Sequence, residues 1–291
     1  MVPIYDVSDK TTQKRVREPA VAGMFYPENP RQLIEMIDEY LDAAQKVIHE
    51  PIGGLVAPHA GYVYSGPVAA WSFKQVAFDP YDVVVVIAPS HFEYFHGASI
   101  YSGDFYATPL GEIPVARALS EEIAALSPHI FLGEEGHHHL DGNRGEHALE
   151  VELPFLQRVL GDFVLIPIVM GEQTWPVAEA LGSALATVLK GQNALIVASS
   201  DLSHYYPYNT AYAIDKQFME YFNQFAYREL LEAVALREVE ACGAGPIVAT
   251  MHACHLMGYT HSKAVRYATS GDVPYGEKAQ VVGYMAGVIF Q

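Results

Sequence analysis

The sequence predicts a single α/β domain whose central mixed, mostly parallel sheet is flanked by helices. Short apolar runs such as Val83–Ala88 and Ala194–Ser199 are strand-length and unbroken, as in strands covered on both faces. They alternate with longer segments whose apolar residues recur at helical spacing, the pattern of strands joined by crossover helices. No Ser/Pro-rich linker, low-complexity tract or fixed-period repeat divides the 291 residues. Residues 17–291 are therefore expected to form one domain, after a polar, flexible segment over 1–16.

Asn29-Pro30 opens a helix, because the first turn leaves unused the N–H that proline lacks. Leu33, Ile34, Ile37, Leu41 and Ala44 follow at helical spacing. Gly54–Pro58 reads as a buried strand, Gly61–Gly66 as a glycine-rich turn and Pro67–Gln75 as a helix. Beyond the strand Val83–Ala88, Pro114–Leu126 reads as helix and Phe131–Asn143 as a Gly/His-rich loop. Ala148–Leu160 reads as one helix kinked at Pro154. Phe163–Val169 and Ala194–Ser199 are strands on either side of a helix at Val177–Leu189. Thr210–Phe225, Glu229–Val234 and Gly245–Met257 are helices, and Ala264–Thr269 and Val281–Phe290 close the chain as strands.

The 17 basic and 34 acidic residues give a formal charge of -17, which repels phosphate backbones and anionic lipid. Nucleic acid and membrane surfaces are thus not expected partners. Two cysteines, Cys242 and Cys254, exclude a disulfide scaffold and suit a reducing compartment. The N-terminus lacks the apolar core of a signal peptide, and the longest apolar runs are too short for a bilayer. A soluble, cytoplasmic protein is expected. Nucleotide-binding glycine fingerprints and a Gly-x-Ser-x-Gly elbow are missing from the sequence, so nucleotide-dependent and serine-hydrolase chemistries lose support.

Three buried strands each run out into a polar turn that carries a histidine: His59, His91 and His204. Open α/β sheets gather ligands beyond the carboxyl ends of their strands. If these strands are parallel neighbours, the three imidazoles meet in one crevice. One such histidine alone is ordinarily structural; three in the same structural position argue for a shared site. Imidazole is the commonest metal ligand, and His59 and His91 sit just past their strands. Cys242, in a glycine turn before a helix, offers a third ligand from elsewhere in the chain, with its pKa lowered by the helix N-terminus. Its alternative reading is a small buried residue, which is the reading adopted for Cys254. The run His137-His138-His139 is expected to face solvent. His147 and Glu150, three residues apart, can share a face that points into the crevice, and a capping role for Glu146 at the start of a helix is the alternative reading of this segment. Asp201, three residues before His204, is expected to orient that imidazole. His252 and His255 are either core residues or outer partners of the site.

In this order, the motifs resemble the Memo family: Arg17–Pro27, Ala57-Pro-His-Ala-Gly-Tyr62 with Ser65-Gly66, Ala88-Pro-Ser-His91, Glu146-His147 with Glu150–Phe155, Ser199–His204, and Cys242-Gly with Pro246-Ile247. The resemblance implies the fold of class III extradiol dioxygenases, which hold non-haem iron with two histidines and a glutamate. It implies His59, His91 and Cys242 as metal ligands, His204 as an acid/base residue beside Asp201, and His147, Glu150 and Tyr62 as outer or substrate-contacting residues. A thiolate in place of a carboxylate favours softer metals, with Fe(II) still compatible; one iron or copper ion is expected in preference to zinc. The function so implied is a metal-dependent redox enzyme with a small-molecule substrate, in a pathway shared with a radical-SAM protein. The alternatives are metal sequestration and phosphopeptide binding without catalysis, the latter opposed by the acidity of the chain.

Overall fold

The computed structural model describes residues 14–140 and 144–291. Residues 1–13 of the expected flexible segment, and 141–143 of the expected loop, lie outside them. The first strand among the described residues is the short β1 (Val16–Arg17). Helix α1 (Pro30–Ala43) starts as anticipated, with the Asn29 side chain accepting from the N–H groups of Arg31 and Gln32. Next come β2 (Ile52–Ala57), α2 (Tyr62–Gln75), β3 (Val83–Pro89), β4 (Ala98–Tyr101), β5 (Phe105–Thr108), β6 (Gly111–Pro114), α3 (Arg117–Ala124) and β7 (Ile130–Gly133). The ladder β8 (His139–Leu140) and β9 (Arg144–Gly145) precedes a 3-10 turn at Glu150–Glu152 and α4 (Leu153–Leu160). The chain ends with β10 (Val164–Met170), α5 (Trp175–Val188), β11 (Ala194–Ser199), β12 (His204–Tyr206), α6 (Tyr208–Asn223), α7 (Tyr227–Ala235), α8 (Ala244–Leu256), β13 (His261–Thr269) and β14 (Val281–Phe290).

Among the described residues a nine-stranded mixed sheet runs β12-β14-β2-β11-β3-β10-β4-β7, with β13 paired to β14. Its middle, β2-β11-β3-β10, is parallel, while β14 and β4 join it antiparallel. The uninterrupted apolar runs follow from double coverage. Val83, Val85 and Ile87 pack with residues of α5 and α8, whereas Val84, Val86 and Ala88 pack with α1, α2 and α4. Burying each such side chain contributes about 1.5–3 kcal/mol.

Four sequence expectations shift. The glycine-rich turn at 61–66 is the first turn of α2, so Pro67 lies inside that helix. The N-terminal end of the expected Pro114–Leu126 helix is strand β6, and α3 starts only at Arg117. Ala148–Leu160 is not one kinked helix: Pro154 sits in the first turn of α4, where its missing N–H costs nothing. Strands β4 and β5 fell between the apolar runs recognised in the sequence, being only four residues each. None of the helices among the described residues is long and apolar enough to cross a membrane.

Candidate metal centre

Strands β2 and β3 flank β11, so their axes lie roughly 10 Å apart, two strand spacings. Pro58 and Pro89 stand at their carboxyl ends, where a residue without N–H ends the ladder and releases the chain. His59 and His91 then lean towards each other over β11, with ring centroids 5.1 Å apart. Cys242 arrives from the loop before α8. Its N–H donates to the Asp201 carbonyl (3.2 Å), and the Gln173 side chain donates to its carbonyl (2.8 Å). Gly243 permits the approach: a Cβ there would meet the Ser199 carbonyl oxygen at 2.3 Å. Cys242 Sγ comes within 3.3 Å of His59 Nε2. Ligand atoms of His59, His91 and Cys242 all lie within 4.8 Å of one another.

Those distances fit a shared ion. Bonds of about 2.0 Å to nitrogen and 2.3 Å to sulfur at a tetrahedral angle put N and S roughly 3.5 Å apart. Both imidazoles are also held by their far sides. His91 Nδ1 is 3.0 Å from Glu146 Oε1, and its backbone N–H donates to Glu146 Oε2 at 2.5 Å. His59 Nδ1 is 2.7 Å from Ser199 Oγ, and its backbone N–H donates to Asp201 Oδ1 at 2.9 Å. Nδ1 engaged by an outer partner leaves Nε2 bare, the arrangement that ligating histidines adopt.

Electrostatics follow from burial. Burial pushes His59 well below the ordinary imidazole range, with His91, His147 and His204 adding repulsion. Burial is the largest single influence on Glu146 and opposes its charge, but the hydrogen bond from His91, the charges of His91 and His147 and the Ala148 N–H together outweigh it and hold the carboxyl at about 2. Burial raises the Cys242 thiol, and the nearby Asp201 raises it further. Instead of the lowering expected from the α8 N-terminus, burial and the charge of Asp201 hold the thiol above its ordinary value. Asp201 is raised to about 7 by burial.

The remaining expected residues divide. His147 joins the crevice: its ring stacks on His91 (centroids 5.1 Å, 21°) and lies 5.6 Å from His59, with Phe25 against it at 4.6 Å. Burial holds it at about 4. His204 lies at the rim, close enough to His59 and His91 for their charges to repel. Asp201 does not orient His204. Its carboxylate accepts from His59 N–H and its own N–H donates to Cys242 Sγ (3.2 Å), because Leu202 turns inward to pair with Gly283 and carries His204 onto β12. Glu150 does not face the crevice either. It is fully buried under the N-terminal segment, accepting from Arg17, Ala20 N–H, Val21 N–H and the Tyr26 hydroxyl. Tyr62 is a core residue, packed on Tyr26 and Phe155 and donating to the Val151 carbonyl at 2.8 Å. Cys254 is core, and His252 packs against Ser183, Trp175 and Tyr227, away from the crevice.

His91, Glu146 and His147 form a second group of donors within 4.8 Å. Glu146 is already committed there, since it also accepts from the N–H groups of His147 (2.8 Å) and Ala148 (3.0 Å). It caps the turn at 147–148, where a helix cap was expected, and holds His91 as well, a role the sequence did not indicate. Sequence reasoning missed Glu152 and the Ser199 hydroxyl. Glu150 and Glu152 are two residues apart on a helical turn and so face opposite sides, a distinction that spacing from His147 could not make.

His137 is not in solvent. It is fully buried, with the Tyr106 hydroxyl on Nδ1 (2.9 Å) and the Ser99 carbonyl on Nε2 (3.1 Å), contacts that a neutral ring donating from Nε2 satisfies. Burial lowers it to about 3. The unfolded chain takes up this proton near pH 6.5 and the folded chain does not, so stability falls as pH drops from about 6.5 towards 3. Urea unfolding at pH 7 and pH 4.5 is expected to show wild type losing up to about 3 kcal/mol more than His137→Gln over that interval, at about 1.4 kcal/mol per pH unit. Equal losses in the two proteins would refute the assignment.

The fold and motifs agree with relatives along nearly the whole chain. The family profile described as Memo-like protein matches residues 17–288. A MEMO1 family protein of Thermotoga petrophila is 37% identical over 287 residues, covering 94% of this chain and 99% of its own. One from Nitrosopumilus maritimus is 34% identical over 277 residues (93% and 98%), and one from Methanocaldococcus jannaschii 34% over 293 (94% and 99%). The crystal structure of an uncharacterized protein from Escherichia coli K12 superimposes with a TM-score of 0.50 at 14% identity, covering 83% of this chain and all of that one, and so speaks for the fold alone. With the match running from Arg17, on the N-terminal strap that covers Glu150, to the β14 strand that borders β2, the chain belongs to the Memo-like protein family.

Proposed function

We propose that this protein is a metal-dependent oxidoreductase that holds one iron or copper ion between His59, His91 and Cys242 and acts on a small-molecule substrate. The observation that carries the reading is the convergence of two imidazoles, each engaged at Nδ1, with a thiol 3.3 Å from His59 Nε2. When bound, the ion supplies Lewis acidity and one-electron chemistry. The chain's own residues do the rest. Glu146 and Ser199 keep the ligand rings aimed. His147 and His204, both held below the ordinary imidazole value by burial, stay neutral at physiological pH and can take a proton on a ring nitrogen. Phe25 and Phe92 beside His147 offer an apolar wall to a bound molecule.

A second reading, metal holding without turnover, is favoured by one feature. Cys242 brings a soft thiolate where a ring-cleaving dioxygenase would bring a carboxylate, and soft donors suit Cu(I). Anaerobic purification without added metal, followed by elemental analysis and an electronic spectrum, is expected to give stoichiometric iron or copper with a thiolate charge-transfer band. Protein that stays metal-free both as isolated and after reconstitution with Fe(II) or Cu(I) would end both readings. Stoichiometric metal whose peroxide-forming activity is suppressed, with no substrate oxidised, would favour holding over catalysis.

A further inference from the structure

Ser199, the last residue of β11, is fully buried, and its hydroxyl has three close neighbours. His59 Nδ1 lies at 2.7 Å, the Ala148 carbonyl oxygen at 2.6 Å and Glu152 Oε1 at 2.7 Å. A hydroxyl has one proton to donate and two lone pairs to accept with. The Ala148 carbonyl can only accept. An ionised Glu152 could also only accept, so one proton would face two acceptors and a buried charge would stand at 2.7 Å from a lone pair. One arrangement satisfies all three contacts: Ser199 donates to Ala148, and accepts from His59 Nδ1–H and from a protonated Glu152. Glu152 is itself fully buried, and its other oxygen, Oε2, has no partner. An unpaired carbonyl oxygen of a neutral acid costs far less there than an unpaired carboxylate.

The charged and titratable groups acting on Glu152 are Ser199's neighbour Asp201 and, across the core, Tyr62. Neither supplies a positive charge. Burial pushes the Glu152 carboxyl well above the usual carboxylate range, and Asp201 adds to the shift against the hydrogen bond from Ser199.

We propose that Glu152 is a neutral carboxylic acid that, through Ser199, holds His59 in the Nδ1–H tautomer whose bare Nε2 faces Cys242 and His91. This rests on the reading of His59 as a ligand and makes Glu152 and Ser199 positioning residues. Were the tautomer reversed, Nε2–H would point at Cys242 Sγ and metal binding would first have to remove that proton.

Two independent measurements test it on the full chain. The infrared difference spectrum of metal-free wild type minus Glu152→Gln at neutral pH is expected to show the carbonyl stretch of a protonated acid. Carboxylate bands in its place would overturn the proposal. In anaerobic Co(II) titrations followed by the thiolate charge-transfer band, Ser199→Ala is expected to bind about 10–100-fold more weakly than wild type, and Glu152→Met about 10-fold, the range for outer partners of metal ligands. Glu152→Gln, whose amide donates to Ser199 as the acid does, is expected to restore binding. Wild-type affinity in Ser199→Ala or Glu152→Met, with circular dichroism showing both folded, would overturn it, as would Glu152→Gln binding as weakly as Ser199→Ala. Failure of wild type to bind Co(II) would instead strike at the metal reading, and the infrared result would still decide the state of Glu152.

Discussion

Cys242→Ala is expected to leave the protein folded and reduce its metal affinity by more than about 100-fold, since losing merely an outer partner of a ligand costs about 10–100-fold. The thiol contributes little to the metal-free fold. It is half-buried, accepts the Asp201 N–H at 3.2 Å, makes only long sulfur contacts with the Asp201 carbonyl (3.6 Å) and the Ser200 hydroxyl (4.0 Å), and lies 3.3 Å from an imidazole. Losing that hydrogen bond costs about 1 kcal/mol. The loop itself is tied down by backbone and Gln173 contacts that alanine retains. Differential scanning of metal-free protein should therefore shift by only a few degrees, while elemental analysis and chelator competition report the loss of metal. Retention of wild-type metal by Cys242→Ala would remove the thiol from the centre.

Arg17→Met is expected to destabilise the protein by about 3–5 kcal/mol, the cost of breaking a buried ion pair from one side. Arg17 is 4% exposed. Its guanidinium donates to Glu150, to the carbonyls of Glu18 and His137, and to the carbonyl of Glu146. Glu150 is completely buried, and without Arg17 its charge would have only backbone N–H groups and the Tyr26 hydroxyl as partners. A drop in melting temperature on the order of 10 °C follows. Glu150→Gln in the same background should recover part of it, because the uncompensated charge is then gone. Because Arg17 also grips the carbonyl of Glu146, which holds His91, metal affinity should fall in parallel. An unchanged melting temperature would mean that the strap is an accessory to the fold.

Much of this was readable before any coordinates. The apolar runs at 83–88 and 194–199 located the parallel centre because a strand covered on both faces has no polar residue to interrupt it. Pro58-His59 and Pro89-Ser-His91 marked the ends where β2 and β3 leave the sheet. The short strands β4 to β6 carried no such signal, and neither did the buried environment of His137, whose glycine-rich neighbours look like surface loop.

What the sequence determined by itself was the class of fold and the residue types able to meet at its carboxyl edge, since periodicity and strand-end position are local properties of the chain. Which of them meet was decided only in three dimensions. Strand order put β11 between β2 and β3, so that two histidines 32 residues apart could face one thiol. One turn of 3-10 helix sent Glu150 to the N-terminal strap and Glu152 towards Ser199. Burial then set the protonation of each group, and burial is a property of the packed whole that no residue carries alone.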